Sequence, residues 1–174
     1  WQWIHAGALN LHFGLLIDPL STTFLLIITG IGFLIHLYSI GYMHDDENFS
    51  RFMSYLNLFA FAMLVLVASD NFLFLLVGWG GVGVASYLLI GFWNDRPSAV
   101  QAARKAFVVN VAGDVGIMLA IFMLVATLGS VSYAHVFPAV SRLTPLEVEV
   151  IAFLLYIGAA AKSAQFPLHV WLPD

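Results

Sequence analysis

Residues 72–93, FLFLLVGWGGVGVASYLLIGFW, form a run of 22 residues without a charged side chain. Glycines at positions 78, 80 and 83 match the G-x-G-x-x-G pattern of a dinucleotide-binding loop. Such a loop follows a strand and faces water, whereas this apolar run continues through the glycines and no second βα unit follows. About 20 apolar residues allow a helix to cross the hydrocarbon core of a bilayer. The stretch therefore predicts a membrane-spanning helix and excludes a nucleotide site.

Small side chains in this helix indicate where it packs. Gly78, Gly81 and Ala85 fall on one helical stripe, with Gly80 and Gly83 beside it. In lipid, small residues let helix backbones approach closely, and van der Waals contact then replaces the hydrophobic drive. We therefore predict that Gly78, Gly81 and Ala85 form a helix-packing surface.

Composition excludes several classes of protein. The 174 residues are 61% hydrophobic and 9% charged, with a mean hydropathy of +0.94, whereas soluble domains carry about 25% charged residues. The absence of cysteine excludes disulfides and thiolate metal centres. A net charge of −4 provides no basic surface, so no nucleic-acid partner is expected. The chain begins at Trp1 and ends directly after an apolar run, so we expect it to be a fragment of a longer polypeptide.

From the apolar runs of the sequence we interpret residues 1–174 as part of one all-α domain. This domain is predicted to be a polytopic transmembrane bundle in which the last span is broken. Asp18 followed by Pro19 is expected to cap the first span, because an aspartate cap and a proline in the first turn favour a helix start. The five predicted spans are residues 19–43, 52–69, 72–93, 106–129 and 150–171.

Loop charges predict the orientation of the bundle. The loops on one side carry four basic residues, whereas those on the other side carry one, Arg142. By the positive-inside rule the first side is cytoplasmic, which places residues 1–18 and 130–149 outside. The four basic residues are Arg51, Arg96, Arg104 and Lys105.

Two ionisable residues lie inside the predicted spans, where a charge is costly and points to function. Asp114 is nine residues beyond Lys105, which corresponds to about 13 Å along a helix. Lys162 is 13 residues beyond Glu149, or about 20 Å from the outer end of its own helix. In a hydrocarbon core of about 30 Å this leaves about 10 Å to the cytoplasmic face, so Lys162 and Asp114 are expected at similar depth. His36 falls at a comparable depth in the first span.

Lys162 is the strongest candidate for ion transport. Pro167 lacks the backbone donor that would reach the Ser163 carbonyl, so the fifth span is expected to break near Pro167. An ionisable residue on a broken helix at mid-membrane depth is typical of a transport site. Gln165 and His169 follow at roughly helical spacing and could continue a proton path.

Structural roles stay open for the same residues. Lys162 and Asp114 could form a structural ion pair, or Lys162 could extend its ammonium group to the nearer interface. Asn110 lies one turn before Asp114 and could hydrogen-bond its carboxyl group. His36 could be a packing histidine whose hydrogen bonds are satisfied.

Five stretches of the chain resemble a known family in their sequence and order. Together they cover nearly the whole chain and closely resemble the large antiporter-like membrane subunit of complex I, the subunit L family, which is related to the large subunits of Mrp-type antiporters. The resemblance implies that the chain covers helices three to the first half of seven in a core of about fourteen helices with inverted repeats. The stretches are IDPLSTTFLLIITGIGFLIHLYSIGYM, RFMSYLNLFAFAMLVLVASDN, GWGGVGVASYLLIGFW, KAFVVNVAGDVG and AKSAQFPLHVWLPD.

The resemblance also implies roles for individual residues. The family's mid-membrane lysine falls on Lys162, its aspartate on Asp114 and the histidine of its third helix on His36. With His169, these residues form the expected proton path.

Two departures from the family pattern lie close to that path. The family reads G-W-E-G-V-G where this chain has Gly80, and N-R-V-G-D where it has Val111. A buried charge that loses its partner costs about 3–5 kcal/mol. If the family's acid and base are coupled, losing both together avoids this cost. Three explanations stay open: a divergent pump that uses Asp114 or a residue outside this chain, a transport-inactive structural paralogue, and engineered changes or errors.

The expected function is that of a proton-translocating membrane subunit of a redox-driven NADH–quinone oxidoreductase complex. The chain would belong to an enzyme without performing redox chemistry itself. No cofactor is expected in this chain, and flavin and iron–sulfur centres are expected in partner subunits. The expected partners are other membrane and peripheral subunits and the lipid of a bacterial cytoplasmic membrane. The alternatives are an Mrp-type cation/proton antiporter subunit and a transport-inactive structural paralogue.

Overall fold

A computed structural model describes residues 2–6 and 9–174 of the chain. Long helices dominate these residues, which confirms the predicted helical bundle, and a short antiparallel hairpin precedes them. The two strands are β1 (Gln2–Ala6) and β2 (Leu9–His12). The helices are α1 (Pro19–Tyr42), α2 (Phe49–Val67), α3 (Phe72–Ile90), α4 (Pro97–Leu128), α5 (Tyr133–Ala139) and α6 (Pro145–Lys162), with a 3-10 turn at Val140–Arg142.

Helices α1 to α4 are long and apolar enough to cross a membrane, with mean hydropathies from 1.6 to 2.2. Helix α4 is longer than its predicted span, because it begins at Pro97 and not at residue 106. Proline is well tolerated in the first turn, where its missing N–H has no helical partner. The polar residues that follow Pro97 therefore extend the helix beyond its apolar part.

The fifth predicted span, residues 150–171, is helical only as far as Lys162. Residues 163–173 run mainly in turns, and Ala164 has a φ of 51°. This left-handed backbone conformation cannot continue a right-handed helix. The helix therefore breaks ahead of Pro167, and Lys162 is its last residue.

Two capping boxes define where α1 and α6 begin. Asp18 Oδ1 accepts from the Ser21 backbone N–H at 2.7 Å, and Ser21 Oγ accepts from the Asp18 N–H at 2.8 Å. Thr144 and Glu147 form the equivalent box at α6. Backbone N–H groups of Ser21 and Thr144 stabilise the ionised carboxylates, so the pKa values of Asp18 and Glu147 lie below their usual range. The predicted cap at Asp18 is confirmed.

The long helices pack in a row, in which α2 lies between α1 and α3, and α4 lies between α3 and α6. Glycines bring α4 and α6 close together. A Cβ built at Gly116 would lie 2.6 Å from Leu154 O, and one built at Gly158 would overlap Ile117. Helix α4 also supplies a large part of the buried apolar core, through Ile117, Ala120, Ile121 and Leu124.

Charged residues collect at one end of the row, which we name the basic end. Arg51 and Arg96 both act electrostatically on Asp46, in the loop between α1 and α2. Near the start of α4, Lys105 forms an ion pair with Asp174 at 2.6 Å. The loops after α1 and α3 therefore lie together with Asp174 at one end of the row, as the predicted alternation of five spans expects; four of these spans, α1 to α4, meet the length and hydropathy of a membrane helix among the described residues. That this end faces the cytoplasm stays a prediction.

Backbone hydrogen bonds close the opposite end, which we name the hairpin end. The Leu16 N–H donates to Ala68 O at 2.9 Å, and the Phe72 N–H donates to Val131 O at 3.0 Å. These bonds join the segment before α1, the connection between α2 and α3, and the segment after α4.

Candidate functional site

Helices α3, α4 and α6 bring Trp79, Asp114 and Lys162 together. Trp79 Nε1 donates to Asp114 Oδ1 at 2.7 Å. Nζ of Lys162 lies over the same indole ring, 5.8 Å from its centroid. Trp79 therefore contacts the acid through the edge of its ring and the base through its face, where a cation is attracted by the π electrons.

The backbone of α3 comes close to the lysine at Gly83. A Cβ built at Gly83 would lie 2.9 Å from Lys162 Nζ, so an alanine there would displace the ammonium group. Gly83 follows Trp79 by one helical turn, and the two residues face Lys162 together. The last glycine of the G-x-G-x-x-G pattern is thus part of the surroundings of the lysine.

Lys162 and Asp114 do not form a direct ion pair. Among the described residues, no carboxylate oxygen lies within 4.0 Å of the Lys162 ammonium group. The Asp114 carboxylate still acts on Lys162 by Coulombic attraction. The arrangement differs from a simple structural ion pair, because Asp114 directs one oxygen to Trp79 and the indole contacts both groups.

A cavity of about 420 Å³, which we name the central cavity, adjoins Lys162 between α2, α3 and α4. Asn110, which is 8% exposed, borders it and donates from Nδ2 to Ala106 O at 2.7 Å. Asn110 Oδ1 is buried without a partner in the described part of the chain. Ser86 and Tyr87 add hydroxyl-bearing side chains to the wall. The wall of the central cavity is thus mainly apolar, with Lys162, Asn110, Ser86 and Tyr87 as its polar residues apart from the indole N–H of Trp171.

The hydrogen bond predicted from Asn110 to Asp114 is not formed. Asn110 donates instead to the carbonyl four residues earlier in its own helix, as short polar side chains often do. Asp114 faces α3, where Trp79 supplies its donor. Spacing places Asn110 and Asp114 near one face of α4, but the neighbouring helices decide where the two side chains bond.

The turns after α6 fold back over the central cavity. Trp171 borders the cavity, and its Nε1 donates to Ala161 O at 3.0 Å. The same carbonyl accepts from the Ala164 N–H at 3.3 Å, so the Trp171 indole is a second donor at the end of α6. His169 is exposed and does not border the central cavity; its ring stacks on Phe166 with 5.7 Å between centroids.

His36 lies on α1, which packs against α2. Its Nδ1 donates to Gly32 O at 2.7 Å, and its Nε2 is buried without a partner among the residues described. The structure brings Lys162 and Asp114 together, whereas His36 and His169 make no described contact with either. Their place in a proton path stays a prediction.

The predicted packing residues of α3 lie on the face toward α2. A Cβ built at Gly78 would lie 2.5 Å from Leu66 N, and one at Gly81 would lie 2.9 Å from Ala62 Cβ. Ala85 on the same stripe is completely buried. The absence of a side chain at Gly78 lets the two backbones come into contact.

Gly80 and Val111, the two departures from the family pattern, take no part in the Lys162 site. Among the residues that the structure describes, no atom of a neighbouring element lies within 4 Å of a Cβ built at Gly80. Val111 is 40% exposed on α4. The space for a side chain at position 80 is therefore present, although the family's carboxylate is not.

Sequence reasoning missed Trp79, Tyr87 and Trp171 as site residues. Trp79 stands in the middle of an apolar span, whereas tryptophan in membrane proteins is enriched at the interfaces. That unusual position was an available signal. Trp171 gave no such signal, because its contact with the cavity depends on the path of the turns after α6.

Two known families match the sequence. Residues 3–53 match the family described as NADH-ubiquinone oxidoreductase (complex I), chain 5 N-terminus. Residues 69–174 match the family described as NADH:quinone oxidoreductase/Mrp antiporter, TM. The two matches follow each other in the order that the quoted stretches predict.

Individual relatives agree with these matches. NADH-quinone oxidoreductase subunit L of Mycobacterium tuberculosis strain H37Rv is 53% identical over 174 residues, which are 100% of this chain and 28% of that protein. NADH-ubiquinone oxidoreductase chain 5 of Metridium senile is 44% identical over 174 residues, 100% of this chain and 29% of that protein. The chain thus spans less than a third of the length of these curated relatives.

A solved structure shows the same fold. A chain in the structure of the Mrp complex from Dietzia sp. DQ12-45-1b matches with a TM-score of 0.79 and 31% identity. The match covers 92% of this chain and 18% of that chain. The chain therefore belongs to the family of antiporter-like membrane subunits that complex I shares with Mrp antiporters.

Proposed function

We propose that this integral membrane chain is part of a proton-translocating subunit of a redox-driven NADH–quinone oxidoreductase complex, in which Lys162 takes up and releases the proton. The observation that carries the proposal is the position of Lys162 at the end of α6, beside the central cavity and against Trp79. A partly buried amine that adjoins space for water at a helix break is suited to exchange protons with that water. The named relatives support the choice of complex.

Trp79 and Asp114 set the conditions for this exchange. The proton affinity of a buried amine depends on its hydration and on its distance from opposite charge. Here these quantities are the water content of the central cavity and the separation of Lys162 from Asp114. A small displacement of α6 against α3 and α4 changes both, so movement in a neighbouring subunit would load or unload Lys162.

Asp114 serves as the negative partner of Lys162 in place of the family's glutamate. Position 80 carries no charge, whereas the Asp114 carboxylate interacts with the Lys162 ammonium group electrostatically. Its bond to Trp79 holds the carboxylate on the α3 side, toward the lysine. The chain is therefore interpreted as a divergent pump, the first of the three explanations for Gly80 and Val111.

Electron transfer belongs to partner subunits in this proposal. The chain has no cysteine to hold an iron–sulfur cluster, so flavin and iron–sulfur centres are assigned to peripheral subunits. The other partners are membrane subunits that transmit the redox energy. The proposed location is the bacterial cytoplasmic membrane, with the basic end on the cytoplasmic side.

The test replaces Lys162 with alanine in the assembled complex and measures proton transport into sealed vesicles per NADH oxidised. We expect this ratio to fall while the amount of assembled complex is retained. Lys105→Ala is the matched control, because it removes a lysine that is paired with Asp174 and does not border the central cavity. An unchanged ratio for Lys162→Ala would contradict the transport role and favour a structural paralogue.

A second candidate is an Mrp-type cation/proton antiporter subunit, which the similarity to the Mrp complex favours. This function predicts sodium-dependent proton exchange in vesicles without any electron donor. Proton movement that requires NADH and is independent of sodium would exclude it.

A further inference from the structure

A second cavity, of about 230 Å³, lies at the basic end of the seam between α3 and α4, and we name it the basic-end cavity. Its lining includes the polar residues Arg51, Tyr55 and Asn94. Arg51 Nε is buried and has no partner in the part of the chain that the structure describes. The guanidinium group of Arg51 also donates from Nη2 to Phe92 O at 3.2 Å and lies 4.9 Å from the centroid of the Phe92 ring, so a charged residue is held at this cavity.

The two cavities come within about one helical turn, or about 5 Å, of each other. On α3, Ile90 borders the central cavity and the next residue, Gly91, borders the basic-end cavity. On α4, Ala106 borders the central cavity and Ala103, one turn earlier, borders the basic-end cavity. Tyr87 borders both.

We propose that Tyr87 is the barrier in a water path that runs from the basic end, through the basic-end cavity, to the central cavity and Lys162. The proposal rests on the proposed function, because a proton that Lys162 binds must reach it from one side of the membrane. The Tyr87 ring, which borders both cavities, packs edge-on against Phe107 of α4 with 5.4 Å between centroids. A change of its rotamer would join them.

Met63 occupies the corresponding place toward the hairpin end. It borders both the central cavity and a groove of about 440 Å³ between α1 and α2. Asp18 and Ser21 in the wall of that groove hydrogen-bond each other, whereas Arg51 in the basic-end cavity keeps an unpartnered Nε. The wall of the groove is otherwise mainly aliphatic and aromatic, whereas the basic-end cavity is lined by Arg51, Tyr55 and Asn94, which favours the basic end as the hydrated side.

Cysteine labelling in the assembled complex, freed of other cysteines, tests for this path. Ser86→Cys places a thiol in the wall of the central cavity. Val84→Cys, two residues away on α3, is the control because Val84 borders neither cavity. A small, membrane-impermeant methanethiosulfonate cation is added to one side of the membrane at a time, and the modification rate is measured.

We expect Ser86→Cys to be modified from the cytoplasmic side, and several-fold faster when Tyr87→Ala is also present. Tyr87→Phe keeps the ring and is expected to leave the rate unchanged. Val84→Cys is expected to react at the same rate with and without Tyr87→Ala. Assembly of each variant is checked by native electrophoresis, so that a general loosening of the fold is recognised by faster labelling of Val84→Cys.

Two results would overturn the proposal. One is a Ser86→Cys rate that Tyr87→Ala leaves unchanged. The other is modification from the hairpin-end side alone, accelerated by Met63→Ala, which would assign the barrier to Met63. Cysteine labelling measures access of water to the central cavity, whereas the Lys162→Ala test measures proton transport. The labelling result can therefore be interpreted even if Lys162→Ala leaves transport unchanged, and the failure of one proposal is distinguishable from the failure of the other.

Discussion

The two faces of α3 carry glycine for different reasons. On the face toward α2, a Cβ built at Gly78 would meet the backbone of the neighbouring helix. On the face toward α6, a Cβ built at Gly83 would meet only the tip of the Lys162 side chain. Backbone contacts hold the first face in one arrangement, whereas a flexible side chain allows the second to adjust. A site that changes its charge state requires a neighbour of the second kind.

A large side chain on the face of α3 toward α2, which we name the packing face, is expected to have the largest effect on assembly of the complex. Gly78→Leu forces a side chain into the backbone of α2, and overpacking costs about 1–3 kcal/mol or more. We expect less assembled complex and a lower temperature of thermal inactivation. Gly80→Leu is the control on the same helix, because no atom of another element in the described part of the chain lies within 4 Å of its Cβ position. Equal losses in the two variants would contradict the distinction between the faces.

On the face of α3 toward α6, which we name the site face, Trp79→Phe keeps an aromatic ring and removes the donor to Asp114. Leaving a buried acceptor without its partner costs about 1–3 kcal/mol, more if it is charged. We expect proton transport per NADH to fall while assembly is largely retained. The control is Trp93→Phe, which removes an exposed bond to Asp46 at the basic end. A similar fall in both variants would argue against a special role for Trp79.

Restoring the family's acid and base tests whether the two departures are coupled. Gly80→Glu adds a carboxylate where the structure has space, and Val111→Arg adds a base on α4. Because an uncompensated charge in the membrane is costly, the double variant should assemble better than either single variant. The measurement is a double-mutant cycle on the amount of assembled complex. Additive effects would show that the two positions are independent.

The smallest effect is expected from adding one methyl group at Gly83. Gly83→Ala leaves assembly nearly unchanged, because the Lys162 ammonium can move away from the new Cβ. That movement should shift the pH dependence of proton transport, which is measured in sealed vesicles. Gly81→Ala is the counterpart on the packing face, where the new Cβ would lie 2.9 Å from Ala62 Cβ. Gly81→Ala should reduce assembly and leave the pH profile of proton transport unchanged. If Gly83→Ala reduced assembly and Gly81→Ala shifted the pH profile, the roles assigned to the two faces would be wrong.

Much of the helical architecture was predictable, because the length and polarity of a run are local properties of the chain. The cap at Asp18 and the break before Pro167 also follow from local backbone chemistry. The start of α4 at Pro97 was less predictable, since hydropathy marks the apolar part of a helix and not its polar extension. The bond expected between Asn110 and Asp114 failed for another reason: it depends on a partner from another helix.

The sequence by itself determined that the chain is a helical membrane bundle, and it predicts that Lys162 and Asp114 lie at similar depth. Depth follows from residue count along a helix of known rise, so no tertiary information is needed. Only the tertiary structure decided that Trp79 contacts both the acid and the base, and that Tyr87 borders two cavities. Those placements depend on which helix faces meet and on the side-chain directions that packing allows, and both involve residues far apart in the chain.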